Sequence, residues 1–210
     1  MIAGVAVQAQ TAIKKGAVNY EMKVEGNDES AAMMGESTIF IQFDEKTQAT
    51  TMNMMGGMMT MKTITPFENL KDSKMTVEVM GSKYEIIELG EEALKANKSF
   101  GNLENATEIT YDKKDIKEFA GYKCYKANVK MNDGNTSEFY ITEAIMPTQP
   151  STAKLKLAGY PLQAKVVSPQ GKMTITATSF SKEISKDAFI VGEGYTKMTM
   201  EEFQKQMGGQ

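Results

Sequence analysis

Tyr122-Lys-Cys-Tyr-Lys-Ala-Asn-Val-Lys-Met131, then Asn132-Asp-Gly-Asn135, then Thr136-Ser-Glu-Phe-Tyr-Ile-Thr142, is two alternating runs around a turn signal. Apolar side chains recur every second residue, the period of a half-buried strand. Asp133-Gly134 is a hairpin dipeptide. A two-residue loop would set Val129 opposite Glu138 and Lys130 opposite Ser137. A three-residue loop at 133–135 sets Val129 opposite Phe139, Ala127 opposite Ile141 and Lys130 opposite Glu138. Only the second gives one apolar and one charged face, because a one-residue slip exchanges the faces. It predicts that Tyr125, Ala127, Val129, Met131, Phe139 and Ile141 point inward.

The same texture extends in both directions. Runs rich in Val, Ile, Thr, Tyr and Phe cover 17–25, 36–43, 47–55, 58–64, 74–80, 83–89, 106–111, 161–168 and 172–182. Turn residues separate them, as in an antiparallel sheet. The mixed charges of 112–118 read as a solvated connection. Helix is scarce. Ser151–Ala158 is one short candidate, ended by Gly159, and 91–98 is another. At the carboxyl end Thr199-x-x-Glu202 is a capping-box pattern that opens a helix over Met200–Met207, ended by Gly208-Gly209. No linker divides the chain, and 10–210 reads as a single, mainly β domain.

Composition narrows the chemistry. The 210 residues include no histidine, no tryptophan and one cysteine, so catalysis through Ser-His-Asp or Cys-His and His-ligated metal sites are excluded. One cysteine also excludes four-cysteine zinc sites, Cys-ligated iron–sulfur clusters and an internal disulfide. The net charge of −3 lacks the basic surplus of a nucleic-acid binder. No glycine-rich phosphate loop follows a strand. Glu91-Glu92 and Glu201-Glu202 are neighbouring carboxylates, but on a strand neighbours diverge and on a helix they sit about 100° apart. Cys124 reads as a small hydrophobe on a strand, with no histidine to activate it. The sequence therefore predicts no enzyme and no cofactor.

Methionine is the outlier, with 18 residues, six of them in Met52-Asn-Met-Met-Gly-Gly-Met-Met-Thr-Met61. Gly56-Gly57 suits a two-residue turn whose central positions need positive φ. Such a turn pairs Met55 with Met58, Met54 with Met59, Asn53 with Thr60 and Met52 with Met61. Met52, Met54, Met59 and Met61 then share one face, with Met55 and Met58 at the tip. Three readings stay open for the four: core filler, an adaptable wall for an apolar, acyl or lipid ligand, and a Cu(I) site of soft thioethers.

The amino end carries an address. Residues 2–7 are small and apolar, and Val7-Gln8-Ala9 fits the small-x-small pattern of a signal-peptidase site. Met1–Ala9 reads as the tail of a signal peptide. No cysteine follows it to take a lipid anchor, and no run approaches the ~20 apolar residues of a transmembrane helix. The expected location is the periplasm, free or associated with the outer membrane.

Five segments carry a family resemblance: Gly16-Ala-Val-Asn-Tyr-Glu-Met-Lys-Val-Glu-Gly26, Phe119-Ala-Gly-Tyr-Lys-Cys-Tyr-Lys126, Glu138-Phe-Tyr-Ile-Thr142, Gly159-Tyr-Pro-Leu162 and Ile184-Ser-Lys-Asp-Ala-Phe-Ile-Val-Gly-Glu-Gly-Tyr195. Their order and spacing over residues 16–198 resemble an exported family of Gram-negative bacteria, of unknown function, that is similar to the Lol-type lipoprotein carriers. The resemblance implies a curved antiparallel half-barrel whose concave side is plugged or covered by short helices. In the carriers that concavity holds acyl chains. It supplies no catalytic residues. An arginine used by some carriers has no counterpart, since the chain has no arginine at all. Lysine lacks the planar fork that grips a phosphate headgroup, so lipid affinity would rest on apolar contact. The expected role is an exported, non-enzymatic binding protein for an apolar or acyl ligand. A periplasmic Cu(I) protein and an envelope-assembly module that binds another protein are the alternatives.

Overall fold

A computed structural model describes residues 12–25, 36–89, 103–147, 154–168 and 171–208. Twelve strands follow in order: β1 (Gly16–Glu25), β2 (Glu36–Phe43), β3 (Thr47–Met54), β4 (Met59–Pro66), β5 (Lys74–Val79), β6 (Ser82–Ile87), β7 (Ala106–Phe119), β8 (Tyr122–Met131), β9 (Thr136–Thr142), β10 (Tyr160–Ser168), β11 (Gly171–Ser181) and β12 (Thr196–Thr199). One α-helix, α1 (Met200–Gly208), closes the described chain. All twelve strands form one open sheet in the order β12-β6-β5-β4-β3-β2-β1-β11-β10-β9-β8-β7. Two meanders, β1–β6 and β7–β11, are joined by the antiparallel pair β1/β11. β12 adds to β6 in parallel. No helix among the described residues is long and apolar enough to cross a membrane.

The strand pattern predicted the sheet well, with three departures. The 112–118 segment is part of β7, where most of its charges face solvent along an outermost strand and half-buried Asp115 accepts from Tyr140 Oη at 2.9 Å. Charge does not oppose a strand whose side chains stay hydrated. A bulge between Asp112 and Ile116 interrupts its pairing with β8. β12, four residues long, gave too short a pattern to find. The helix expected at Ser151–Ala158 is absent over 154–158, where the chain runs as bends over the β7–β8 end of the sheet. There Tyr111 Oη accepts from the Ala158 amide at 3.0 Å, and Leu157 packs against the apolar side of β8 and β9. Residues 151–153, the 91–98 helix candidate and Met1–Ala9 lie outside the described residues.

The β8/β9 hairpin keeps the expected faces but not the expected pairs. Ala127 lies opposite Phe139, Tyr125 opposite Ile141 and Lys130 opposite Thr136. The shift of two residues follows from five residues, 131–135, between the last paired positions, rather than three. In it the Gly134 amide donates to Met131 O at 3.0 Å, and the Met131 amide to Asn135 O at 2.8 Å. A shift of two preserves alternation. Ala127, Val129, Phe139 and Ile141 are therefore buried as predicted, with Tyr125 and Met131 packed half-buried beside them. Glu138 is paired not with Lys130 but with Lys126, at 3.0 Å.

The largest cluster joins the two meanders. It holds Val18, Tyr20 and Met22 of β1, Ile39, Ile41 and Phe43 of β2, Ile175 and Ala177 of β11, and Leu162, Tyr140 and Cys124 of β8–β10. Two bulges make this possible. One lies between Asn19 and Tyr20, the other between Pro161 and Gln163. Beyond the second, β9 buries both faces: Phe139 and Ile141 in one cluster, Tyr140 in another.

Residues 183–195 form a strap across the other side of the β2–β5 region. Gln42 Oε1 accepts from the Ser185 amide and hydroxyl at 2.7 and 2.6 Å. Lys62 Nζ donates to the carbonyls of Asp187 and Ile190 at 3.1 and 3.0 Å. Burial pushes the Lys62 ammonium pKa down, against a smaller upward pull from Asp187. Tyr195 Oη donates to Glu78. The strap carries the chain to β12 at the far edge and so delivers α1.

Candidate functional site: the methionine face

Residues directly opposite in a ladder share a face, so the registers trace rows across the sheet. One row runs Tyr84, Val77, Met61, Met52, Ile39, Tyr20, Ala177, one residue from each of seven adjacent strands. A second includes Val79, Met59 and Met54 at one end, and Ser37, Met22 and Ile175 at the other. The four candidate residues thus sit together as two cross-strand pairs, Met52 with Met61 and Met54 with Met59, as the Gly56-Gly57 reading required. The turn is wider than two residues. Met55–Gly57 form a single 3-10 turn closed by the Met58 amide on Met55 O at 3.3 Å. Both glycines still take the positive φ the sequence demanded, +65° and +90°.

Burial varies along the rows. Tyr84, Val77, Ile39, Tyr20 and Ala177 are all buried, at 9% exposure or less. Met52 and Met61 between them are half-buried, as are Met54, Met59 and Val79 of the second row. Met52 packs against the β1–β2–β11 cluster, and Met59 and Met61 against a separate cluster of Met75, Val77, Tyr84 and Ile86. The stripe is therefore a shallow seam between two packed regions. Unbranched thioethers suit such a seam, because three rotatable bonds let them refill irregular space.

The carboxyl-terminal helix borders the seam. Thr199 Oγ1 accepts from the Glu202 amide at 3.2 Å, and Glu202 Oε2 accepts from the Thr199 amide at 2.7 Å, a complete capping box. These bonds, the backbone amide first, pull the Glu202 carboxyl pKa down. Met200 and Phe203 pack onto the Tyr84 cluster, with the Phe203 ring 5.7 Å from that of Tyr84. Gln206 Nε2 donates to Tyr84 Oη at 3.0 Å. Sequence reasoning found this helix but not its seat. Met75, Val77, Tyr84, Met198, Met200 and Phe203 were thereby missed as neighbours of the face. The only signal available was the capping box, which marks a start and not a destination.

Other candidate chemistry resolves into structure. Glu201 pairs with Lys205 at 2.7 Å, while Glu202 is occupied by the cap, so the two carboxylates do not converge. Glu91-Glu92 lies outside the described residues. Cys124 is 1% exposed, and burial pushes its thiol up to about 12 against a smaller lowering by a backbone hydrogen bond. A thiol so held stays protonated at pH 8 and does not attack electrophiles. A maleimide should leave the folded protein unlabelled for hours and modify it within minutes in 8 M urea, as read by intact mass. A cleft of about 390 Å³ lies beside β5 and β6, lined by Lys71, Lys74, Glu85, Ile86, Glu88 and Leu89 among others. None of the four methionines lines it.

No protein-family profile matches the sequence, and no curated protein does. Among solved structures, the chain is similar to the lipoprotein LppX of Mycobacterium tuberculosis, at 8% identity and a TM-score of 0.45, over 80% of this chain and 88% of that one. It is also similar to the MucA/MucB complex of Pseudomonas aeruginosa, at 12% identity and a TM-score of 0.41, over 85% of this chain and 56% of that one. A third likeness is to an uncharacterized conserved protein of Thermus thermophilus, at 10% identity and a TM-score of 0.36, over 89% of this chain and 91% of that one.

Proposed function

We propose that this chain is an exported, non-enzymatic binding protein that lays an apolar or acyl ligand along the Met52–Met54–Met59–Met61 seam. The half-burial of these four side chains, beside buried Val77, Ile39, Ser37 and Met22 of the same rows, carries the reading. An acyl chain laid there would cover thioether surface and gain about 0.8 kcal/mol for each methylene removed from water. The resemblance of residues 16–198 to exported relatives of the Lol-type carriers supports the same reading, as does the signal-like Val7-Gln8-Ala9.

Native mass spectrometry of protein taken from its own compartment tests it. Discrete adducts matching lipids are expected, and a Met52→Gln/Met61→Gln variant should lose them while keeping its β-sheet circular dichroism. A bare polypeptide mass that persists after incubation with lipid extract would overturn the proposal. That result would favour a protein-binding envelope module. The observation behind that second reading is β7, the outermost strand on its side, with Ile116 56% and Tyr111 38% exposed.

A further inference from the structure

Two neighbouring turns carry methionine where a turn has least use for it. Met55 and Met80 both hold left-handed backbone, at φ +55° and +49°. That region disfavours any residue with a Cβ and is ordinarily left to glycine or asparagine. Glycine stands beside each of them, at Gly56 and Gly81. Met80 is 82% exposed and Met58 53%, so neither is placed there to fill core. The turns touch: the Met80 amide donates to Met58 O at 3.3 Å, and the Met58 amide donates to Met55 O at 3.3 Å. Three methionines are thus strung on two consecutive backbone hydrogen bonds at one end of the sheet.

The hairpin turn sets this backbone, as it does at Ala120-Gly121 (φ +50° and +82°), so what packing leaves unexplained is the choice of methionine at both turns. Bulk alone would be met by leucine or isoleucine. What all three positions share is a thioether. Neutral soft sulfurs select a soft monovalent cation over the hard divalent ones, which need carboxylates. The chain has no histidine to compete, and its one thiol is buried elsewhere.

We propose that Met55, Met58 and Met80 form a three-thioether site for Cu(I) on the touching β3–β4 and β5–β6 turns. The site is separate from the four-methionine seam and independent of any lipid ligand. Binding needs no electron or proton transfer, because thioethers coordinate without deprotonation.

The test is anaerobic titration of the full chain, labelled at the methionine methyl carbons, with Ag(I) as the redox-inert probe and then Cu(I). The first equivalent should shift the methyl signals of Met55, Met58 and Met80 and leave those of Met52 and Met61 in place. A Met55→Leu/Met58→Leu/Met80→Leu variant should lose the one-equivalent uptake. Met58→Leu alone alters a position with ordinary backbone (φ −70°) and serves if the triple variant does not fold. It should weaken uptake and shrink the Met80 shift. The proposal is overturned if the first equivalent leaves the three signals unmoved. It is equally overturned if Met58→Leu titrates like the parent, or if uptake is lost only on changing Met52, Met54, Met59 and Met61 to leucine.

Discussion

Phe43→Ala should destabilise the protein by about 3–5 kcal/mol, the range for removing a fully buried ring and leaving a cavity. Phe43 is 0% exposed at the end of β2, opposite Gly16 of β1, with its ring 5.8 Å from that of Tyr160. Glycine offers no side chain to collapse into the hole, and Tyr160 is held by β10. The cluster it belongs to contains residues from both meanders, so the cavity loosens the joint between them. A domain of this kind has about 5–15 kcal/mol of total stability, so the variant should unfold at a much lower urea midpoint with an unchanged slope. Phe43→Leu keeps most of the volume and should cost less than about 1.5 kcal/mol. A loss under about 1 kcal/mol for the alanine variant would mean that Phe43 is not packed as described.

The second large effect is expected at Gly159. A Cβ placed there would stand 2.5 Å from the carbonyl oxygen of Thr142, 2.8 Å from its carbonyl carbon and 3.2 Å from the Glu143 amide. These are backbone atoms, and they cannot swing aside. The next residue, Tyr160, pairs with Thr142 itself, and Leu162 two residues further on is fully buried. Gly159→Ala should therefore cost about 2–3 kcal/mol by overpacking. Gly134→Ala gives the contrast. Its Cβ would meet nothing within 4 Å, but φ is +86°. The penalty there is conformational only, about 1–2 kcal/mol. If the two variants melt at the same urea concentration, close approach is not what fixes Gly159.

How far the sequence could be read depended on the distance over which each interaction acts. The Met52–Met61 ladder was readable because Gly56-Gly57 and the strict alternation lie within one hairpin. At Asp133-Gly134 the faces were readable, since alternation alone sets them. The pairs were not, since loop length sets them and Asn132 and Asn135 are as willing turn formers as Asp133. The capping box at Thr199 located a helix from four residues. Nothing local could say that this helix would reach Tyr84, because the strap from Ser185 to Tyr195 decides it through hydrogen bonds with the distant Gln42, Lys62 and Glu78. For the same reason the four methionines could be placed on one face, while their half-burial emerged only with the clusters on either side. The mixed charges of 112–118 read as a connection because charge also marks loops, whereas an outermost strand keeps most of its side chains in water.

The β1/β11 ladder also sets an order of events during synthesis. Val18 pairs with Phe180, a separation of 180 − 18 = 162 residues, and every β1/β11 contact waits on that closure. While the ribosome is still making β7 to β10, the first meander can zip from β2 to β6 through short hairpins. Its β1 strand, bearing Val18, Tyr20 and Met22, then has a partner on one side only. Long-range pairing of this kind is slow, and an apolar strand left open meanwhile invites pairing with other nascent chains. The interval is a reason for β1 to stay shielded until residue 181 has emerged.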